Sequence, residues 1–571
     1  MDEPRIGVYT CWCGSNIAKM VDVVKVAEDL KKHKGVVVSK DYKYMCSDPG
    51  QELIYNDIKE HQLNRIVVAS CSPRIHELTF RKVLEKAGLN PYLFEMANIR
   101  EQVSWVHTNR EVATQKALDL IRAAIRRVYW HDALDKREVE INPASLIIGG
   151  GITGLSAALD IADSGHQVFL IEKTDTLGGK MKQLDLTYPY MNDAAGLLEP
   201  RIDRVKNHQR ITVLTRTTLK EINGFIGNFE VTVNKKDGSE EEFTVGNIIV
   251  ATGLKTFDPA VIEQYGYKKF PNVITSLEFE QKLQKGEDVL LEDGREPQNV
   301  AIIHCVGSRH SHYHEYCSRV CCQTGLKYAN QIKANLPDSN VYNIYCDLRS
   351  FGKACEELYT TTSTRKSLFL QFEKEDYPII EPSGQNLQVR VNESLSGEQV
   401  IVPADLVILL VGVEAQPDAK DLGRQVGVSL CGNDFYIEKH PKLDPVATTT
   451  DGVYIAGTCQ GPKDINDSIA QAGAAAVRVL ETIARRKVQV EVITAVVNED
   501  LCCGCQTCVK VCPYSAVSFN EEKGVSEVNE ALCKGCGTCG STCPSGAIRS
   551  RHFTDQQIMS QIEGIMNEEV V

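Results

Sequence analysis

Among residue types able to do redox or metal chemistry, cysteine stands out: the chain of 571 residues holds 21 of them. From residue 502 they run Cys502-x2-Cys505-x2-Cys508-x3-Cys512-Pro513, and the pattern returns as Cys533-x2-Cys536-x2-Cys539-x3-Cys543-Pro544. Such short spacings let a tight loop curl around a cubane and aim thiolates and backbone N–H groups at its sulfurs. Gly504, Gly535 and Gly537 permit the curl. A zinc ribbon needs one set of four ligands rather than this duplication. Cys503 fits neither half and reads as a bystander.

The duplicated run resembles bacterial-type two-cluster ferredoxins, in which the fourth cysteine of each run crosses to the other cluster. That resemblance implies one 4Fe-4S cluster on Cys502, Cys505, Cys508 and Cys543, and a second on Cys533, Cys536, Cys539 and Cys512.

A different chemistry is written at residues 144–172. Ala144-Ser-Leu-Ile-Ile-Gly149-Gly-Gly151-Ile-Thr-Gly154 reads as an apolar strand, a glycine turn and a helix start, and the next apolar run ends in Glu172. Gly149, Gly151 and Gly154 would let the backbone approach a pyrophosphate at the helix N-terminus, and Glu172 would accept adenosine ribose hydroxyls. Further glycine-bearing segments follow: Lys173 and Leu177-Gly178-Gly179-Lys180 after the second strand, Ala251-Thr252-Gly253 closing a later one, and Ala456-Gly457-Thr458 before a helical stretch to about Ala484. Together they resemble the two-dinucleotide-fold flavoproteins of the thioredoxin reductase and glutamate synthase type, which use FAD. Such proteins carry a second glycine fingerprint for NAD(P)H. The corresponding strand here, Asn299–His304, runs instead into Cys305-Val-Gly-Ser-Arg.

Cys305, Cys317, Cys321 and Cys322 lie within 18 residues, in a spacing that matches no common zinc finger. Spacing alone leaves an iron-sulfur site, a redox dithiol and packing open. At the N-terminus, Cys11, Cys13, Cys46 and Cys71 each follow a strand-like run, where α/β sheets converge on ligands. A cluster and burial as small apolar residues are both open there.

The whole chain resembles the A subunit of heterodisulfide reductase and its relatives, the flavin and iron-sulfur subunits of anaerobic complexes that include the class II benzoyl-CoA reductase type. The motifs are Cys11-Trp-Cys13-Gly-Ser-Asn-Ile, Tyr44-Met-Cys46-Ser, Ala69-Ser-Cys71-Ser-Pro-Arg, Cys305-Val-Gly-Ser-Arg with Tyr316-Cys-Ser-Arg-Val-Cys-Cys322, and Gly457-Thr-Cys-Gln-Gly-Pro-Lys463. The resemblance implies a 4Fe-4S cluster on Cys305, Cys317, Cys321 and Cys322. It implies flavin-side lysines at Lys327 and Lys463, whose charge would stabilise reduced anionic flavin. It also implies protein partners: heterodisulfide reductase B/C-like subunits, hydrogenase- or NADH-oxidising subunits or a low-potential reductase, and ferredoxin, with a homodimer within the complex left open. Archaeal members often carry an extra ferredoxin inserted in the flavin domain. Here Gly179 to Ile248 contains no cysteine.

The elements that must position these groups follow from periodicity and length. The expected fold is multidomain α/β: an N-terminal α/β domain over 1–140, a thioredoxin reductase-like FAD-binding Rossmann-type domain over 141–487, a two-cluster ferredoxin of α+β type over 488–552, and a terminal helix over 553–571 docking on a partner or on the body. Amphipathic helices are expected over Ile17–His33 and Glu111–Tyr129, and a linker over Arg485–Val492. The formal net charge of -13 argues against a general nucleic-acid binder. No apolar run reaches the length of a membrane span and no signal peptide is read, so the expected compartment is the cytoplasm, whose reduced thiols favour metal or redox chemistry over disulfides. His304, His310, His312 and His314 read as solvated or hydrogen-bonded, and Cys346, Cys355, Cys431 and Cys459 as structural.

Three readings stay in play. One is an oxidoreductase subunit whose flavin bifurcates electrons or converts pairs to singles between partners and ferredoxin. The others are a stand-alone NAD(P)H-dependent flavoenzyme like the glutamate synthase small subunit, and a non-bifurcating relay.

Overall fold

The structure is a computed structural model that describes residues 3–566 apart from 136, 292, 491 and 515. The chain divides into two compact units, Met1–Glu138 with Gln489–Val571, and Val139–Val488.

In the first unit, β1 (Ile6–Cys11), α1 (Val23–Leu30), β2 (Val36–Tyr42), α2 (Asp48–Glu60), β3 (Arg65–Ser70), α3 (Pro73–Lys86), β4 (Phe94–Asn98) and α4 (Arg110–Tyr129) alternate along the chain. The strands form one parallel sheet in the order β2-β1-β3-β4. β1 and β3 are buried at every position, which explains their near-continuous apolar sequences. Helix α4 matches its expected span, but α1 is shorter than the periodicity predicts. Residues 13–20 form turns instead, because Asp22 caps the helix by accepting from the Lys25 N–H at 3.2 Å.

The second unit holds two five-stranded parallel sheets. The first comprises β5 (Ser145–Ile148), which leads into α5 (Ile152–Asp163), β6 (Val168–Glu172), β7 (Ile211–Thr215), β8 (Asn247–Val250) and the later strand Val453–Ile455, in the order β7-β6-β5-β8 and then that strand. The second sheet comprises β9 (Val273–Thr275), β10 (Asn299–Val306), β11 (Asn340–Tyr345), β12 (Leu368–Gln371) and β13 (Leu406–Val411), in the order β9-β13-β10-β11-β12. Helix α6 (Cys321–Asn335) is the crossover between β10 and β11. The long helix expected up to Ala484 is α7 (Ile465–Ala484).

The duplicated cysteine run forms a small α+β module whose first and last strands, Ala495–Val497 and Ile548–Ser550, pair antiparallel. A hairpin, Val517–Asn520 with Val525–Val528, lies between. The short helices Thr507–Val511 and Thr538–Thr542 each follow a left-handed residue, Gln506 (φ 58°) and Gly537 (φ 79°), so the two halves turn alike. The expected linker includes a short strand, Lys487–Val490.

The terminal helix α8 (Asp555–Met566) lies on α4 within the first unit; residues 567–571 are outside the described residues. Gly564 makes the approach possible, since a Cβ there would stand 2.8 Å from Ala123 Cα. Just before it, buried His131 and His552 stack at 4.1 Å, and His552 Nε2 lies 2.9 Å from the Asp132 carbonyl. Replacing Gly564 by leucine is expected to lower stability by about 1–3 kcal/mol, the usual cost of overpacking. Urea unfolding followed by circular dichroism checks this, with an exposed position such as Glu563→Ala expected to change little.

Candidate functional site

A cavity in Val139–Val488 with a volume of about 960 Å³ opens at the carboxyl ends of β5 and β6. Its floor is the glycine turn. Gly149 adopts φ +112°, and a Cβ there would meet the Ala251 carbonyl oxygen at 2.4 Å. Gly154 stands behind the turn, where a Cβ would fall 1.9 Å from Gly149 O. Gly151, by contrast, has nothing within 4 Å of its Cβ direction and caps α5. The turn thus combines one tight bend, one close helix packing and one bare stretch of backbone facing the cavity at a helix N-terminus, which is what a diphosphate requires.

Glu172 lies in the same wall, nine-tenths buried, and Oε2 accepts from the Gly150 N–H at 2.8 Å while Oε1 accepts from the Thr174 N–H at 2.8 Å. Gly179 and Lys180 form the next stretch of lining, and burial of its surroundings pushes the Lys180 ammonium below its ordinary value. Lys173 also lines the cavity but pairs with Asp418 at 3.1 Å. Ala251, Thr252 and Gly253 approach from β8, and Thr458 and Lys463 from the loop before α7. Burial lowers the Lys463 pKa, and Cys459 opposes the shift. Gly457 sits outside the lining, with its N–H donating to Gln471 Oε1 at 2.7 Å.

Lys327 is placed differently from a bare flavin-side cation. It is 2 % exposed, lies outside the cavity lining, and donates to both carboxylate oxygens of Glu280 at 2.7 Å and to the Leu186 carbonyl at 2.8 Å. Glu280 is the partner that reaches the cavity, and Tyr188 lines it as well. Sequence reasoning singles out neither residue, because no local motif marks them. Among the described residues, Gln183 Oε1 is buried in the same wall without a hydrogen-bond partner.

The cysteine run beside this cavity occupies the turn between β10 and α6. Burial pushes the Cys305 thiol well up, and Cys321, Cys322 and Cys317 push it further, so the four are electrostatic neighbours. Backbone N–H groups are aimed at the sulfurs: Arg319 donates to Cys317 Sγ and Arg349 to Cys322 Sγ, each at 3.3 Å. Cys321, the first residue of α6, also lines the cavity. The nearby histidines are hydrogen-bonded, as expected: buried His304 meets Asn343 Oδ1 at 3.1 Å and His314 meets Glu414 at 2.8 Å.

The first unit brings its cysteines together too. Burial pushes Cys11 up to about 11, with Cys13 and Cys46 adding to the shift, and Cys71 is raised by burial with Cys13 and Cys46 again among its neighbours. The Cys13 and Met45 N–H groups donate to Cys11 Sγ at 3.3 and 3.4 Å, and Arg100 Nη1 donates to Cys13 Sγ at 3.3 Å. In the C-terminal module Cys512, Cys533, Cys536 and Cys539 line one small cavity, combining one run's fourth cysteine with the other run's first three. Cys508 and Cys543 pack in the core of that module, while Cys502 is half-buried and Cys505 exposed. Among the described residues, the group of three metal-type ligand atoms within 4.8 Å of one another is Asp57, Glu60 and His61, so no cysteine set is drawn in to the spacing of a mononuclear ion.

Residues 144–311 match the family described as Pyridine nucleotide-disulphide oxidoreductase, and residues 483–553 match the 4Fe-4S dicluster domain. The chain is 41% identical over 99% of its length to an iron-sulfur A subunit of the CoB–CoM heterodisulfide reductase of Methanopyrus kandleri, covering 98% of that protein. This chain belongs to the heterodisulfide reductase A-subunit family. It is also 40% identical, over 100% of its length and 98% of the other protein, to the A subunit of the H(2):CoB-CoM heterodisulfide,ferredoxin reductase of Methanothermobacter thermautotrophicus. The crystal structure of T. acidophilum thioredoxin reductase aligns with 59% of this chain and 98% of its own, at 18% identity and a TM-score of 0.41. The chain is accordingly an iron-sulfur flavoprotein oxidoreductase of mixed α/β fold, with FAD and 4Fe-4S clusters as its cofactors. Among the described residues no helix is long and apolar enough to cross a membrane.

The glycine geometry separates folding from cofactor binding. Gly151→Val is expected to leave the fold within about 1 kcal/mol of the parent, the scale of an altered helix cap, while FAD occupancy collapses. Gly154→Ala is expected to lose both. Flavin absorbance per chain read beside thermal unfolding checks the pair.

Proposed function

We propose that the chain is the electron-splitting or two-to-one converting subunit of a multi-subunit redox complex, moving electrons between protein partners and a ferredoxin. One observation carries this reading. At the β10–α6 turn, where a second dinucleotide fold would hold NAD(P)H phosphates, stands a cysteine quartet, and its Cys321 shares a wall with the FAD cavity. FAD exchanges electrons in pairs or singly, and 4Fe-4S clusters exchange them singly.

The protein's own groups fit those roles. The Gly149–Gly151 turn and the N-terminus of α5 hold the diphosphate, and Glu172 takes the ribose hydroxyls. Lys180, Lys463 and Thr458 close the cavity around the remainder of the cofactor. Cys305, Cys317, Cys321 and Cys322 bind one cluster, with the Arg319 and Arg349 N–H groups stabilising its thiolates. Cys11, Cys13, Cys46 and Cys71 bind another. In the C-terminal module Cys502, Cys505, Cys508 and Cys543 bind one cluster, and Cys533, Cys536, Cys539 and Cys512 the other. The partners named by the relatives are a CoB–CoM heterodisulfide and ferredoxin. The disulfide is reduced on another subunit of the assembly, and this chain supplies the electrons.

These ligand sets require about sixteen iron atoms per FAD in the anaerobically purified chain. Cys321→Ser is expected to remove about four of them with FAD retained. A parent count near eight would eliminate both the N-terminal and the flavin-side sites. In the assembled complex, ferredoxin and the high-potential acceptor are expected to take equal shares of each electron pair. Ferredoxin reduction that proceeds at full rate without the high-potential acceptor would reject electron splitting. NADH bleaching the flavin of the isolated chain would reinstate a stand-alone NAD(P)H-dependent enzyme.

A further inference from the structure

The sheet order β2-β1-β3-β4 brings four loops side by side at the carboxyl edge of the N-terminal sheet: residues 43–47 after β2, 12–16 after β1, 71–72 after β3 and 99–106 after β4. They carry Cys46, Cys13 and Cys71, and Cys11 ends β1. Cys13 and Cys46 are only half-buried, so this quartet lies at a surface.

The skin of that edge is apolar where a solvent-facing loop would be polar. Trp105 is 60% exposed, Val106 66%, Ile75 55% and Tyr44 54%. Three of these are tied to the quartet. Arg100 stacks 4.8 Å over the Trp105 ring while donating to Cys13 Sγ, and Tyr44 packs against Gly14, next to Cys13. Ile75 lies on the first turn of α3, just past Cys71. The loop over Cys13 includes a π-helical turn, Arg100–Ser104, an irregularity common at functional sites.

The free charge around this skin is positive. Lys19, Lys43 and Arg74 are exposed and make no ion pair among the described residues. Glu101 is paired with Arg100 at 2.7 Å, while Asp41 at the end of β2, which accepts from the neutral Trp12 indole at 2.7 Å, and Asp48 keep their charge, so three free cations face two opposing carboxylates. A basic, aromatic-centred face stands out on a chain of formal net charge -13. Aromatic residues within a charged rim form a usual protein-docking surface, and the rim charges select the partner's sign and speed its arrival.

We propose that this edge is the docking face for a small acidic one-electron carrier protein of the ferredoxin type, exchanging single electrons with a cluster on Cys11, Cys13, Cys46 and Cys71. The proposal rests on the cluster reading above. The step is one electron between two clusters, one reduced as the other is oxidised, with no bond made or broken. Arg100 is the positioning residue that joins the exposed indole to the ligand sulfur.

The test uses the full chain purified anaerobically and an acidic two-cluster ferredoxin of clostridial type as the probe, reduced and mixed by stopped flow. Lys43→Glu with Arg74→Glu is expected to slow electron entry at least tenfold at low salt and to flatten its ionic-strength dependence, with iron content and visible spectrum unchanged. Lys236→Glu with Lys268→Glu, the same charge change elsewhere, is expected to leave the rate within twofold. Trp105→Ala is expected to weaken saturation by the carrier. Equal rates in the parent and the Lys43/Arg74 variant overturn the proposal, as does a dimer of this chain that the variant dissociates, which would make the face a self-association surface. Cys71→Ala separates the two layers: undiminished iron in that variant refutes the cluster reading itself, whereas a loss of about four iron atoms with unaffected carrier rates refutes the docking face alone.

Discussion

A parallel strand that runs into a helix delivers unpaired N–H groups and the positive end of a helix dipole to one point, and that point must be satisfied by an anion or by water. The second unit contains this corner twice. After β5 the chain meets it with bare glycine backbone, and the corner opens into a cavity fit for a diphosphate. After β10 the chain meets it with thiols, and N–H groups point at sulfur. Cys321, at the second corner, lines the cavity that the first corner opens into. The rest of the unit serves to hold them there.

Changing glycine for cysteine at the second corner has a cost in the backbone. Cys305, Arg309 and Arg319 all carry positive φ, at 59°, 54° and 63°, a conformation that L residues with a Cβ rarely adopt. Each such residue costs on the order of 1 kcal/mol or more and persists only where its surroundings over-determine it. Three between the end of β10 and the start of α6, around sulfurs that are also buried, are consistent with the cluster proposed for this segment. Desolvation points the same way: thiols whose ionisation burial opposes become thiolates when a cationic iron centre compensates the buried charge.

Legibility in the sequence follows the distance over which each feature is determined. The duplicated cysteine run and the glycine turn are local, since spacing and conformational need coincide within a dozen residues, and both are readable. The N-terminal cysteines are spread over 60 residues, and only the sheet order brings Cys46 and Cys71 to opposite sides of the β1 loop. The short α1 is not readable, because an apolar period continues through turns that pack on the same core, and Asp22 alone marks the start. Glu280 is invisible for a related reason: its role depends on Lys327, which is distant in sequence and reaches it only after α6 is laid on its sheet.

That last pair changes the electrostatics of the cavity. An ammonium and a carboxylate buried together cancel each other's field at longer range, and separating them would leave an unpaired charge at high cost. Lys327 therefore adds little net positive potential while Glu280 holds it, and Glu280 opposes the lowering of its pKa that burial causes. Of the lysines that line the cavity, Lys180 and Lys463 are each depressed by burial, while Lys173 is paired with Asp418, which lines the same cavity. An anionic cofactor filling that space would oppose the lowering that burial causes, so the same negative charge that the glycine corner would bind through backbone dipoles would also favour the charged form of the two lysines. Diphosphate binding at the glycine corner and stabilisation of the lysine charges would then be electrostatically coupled.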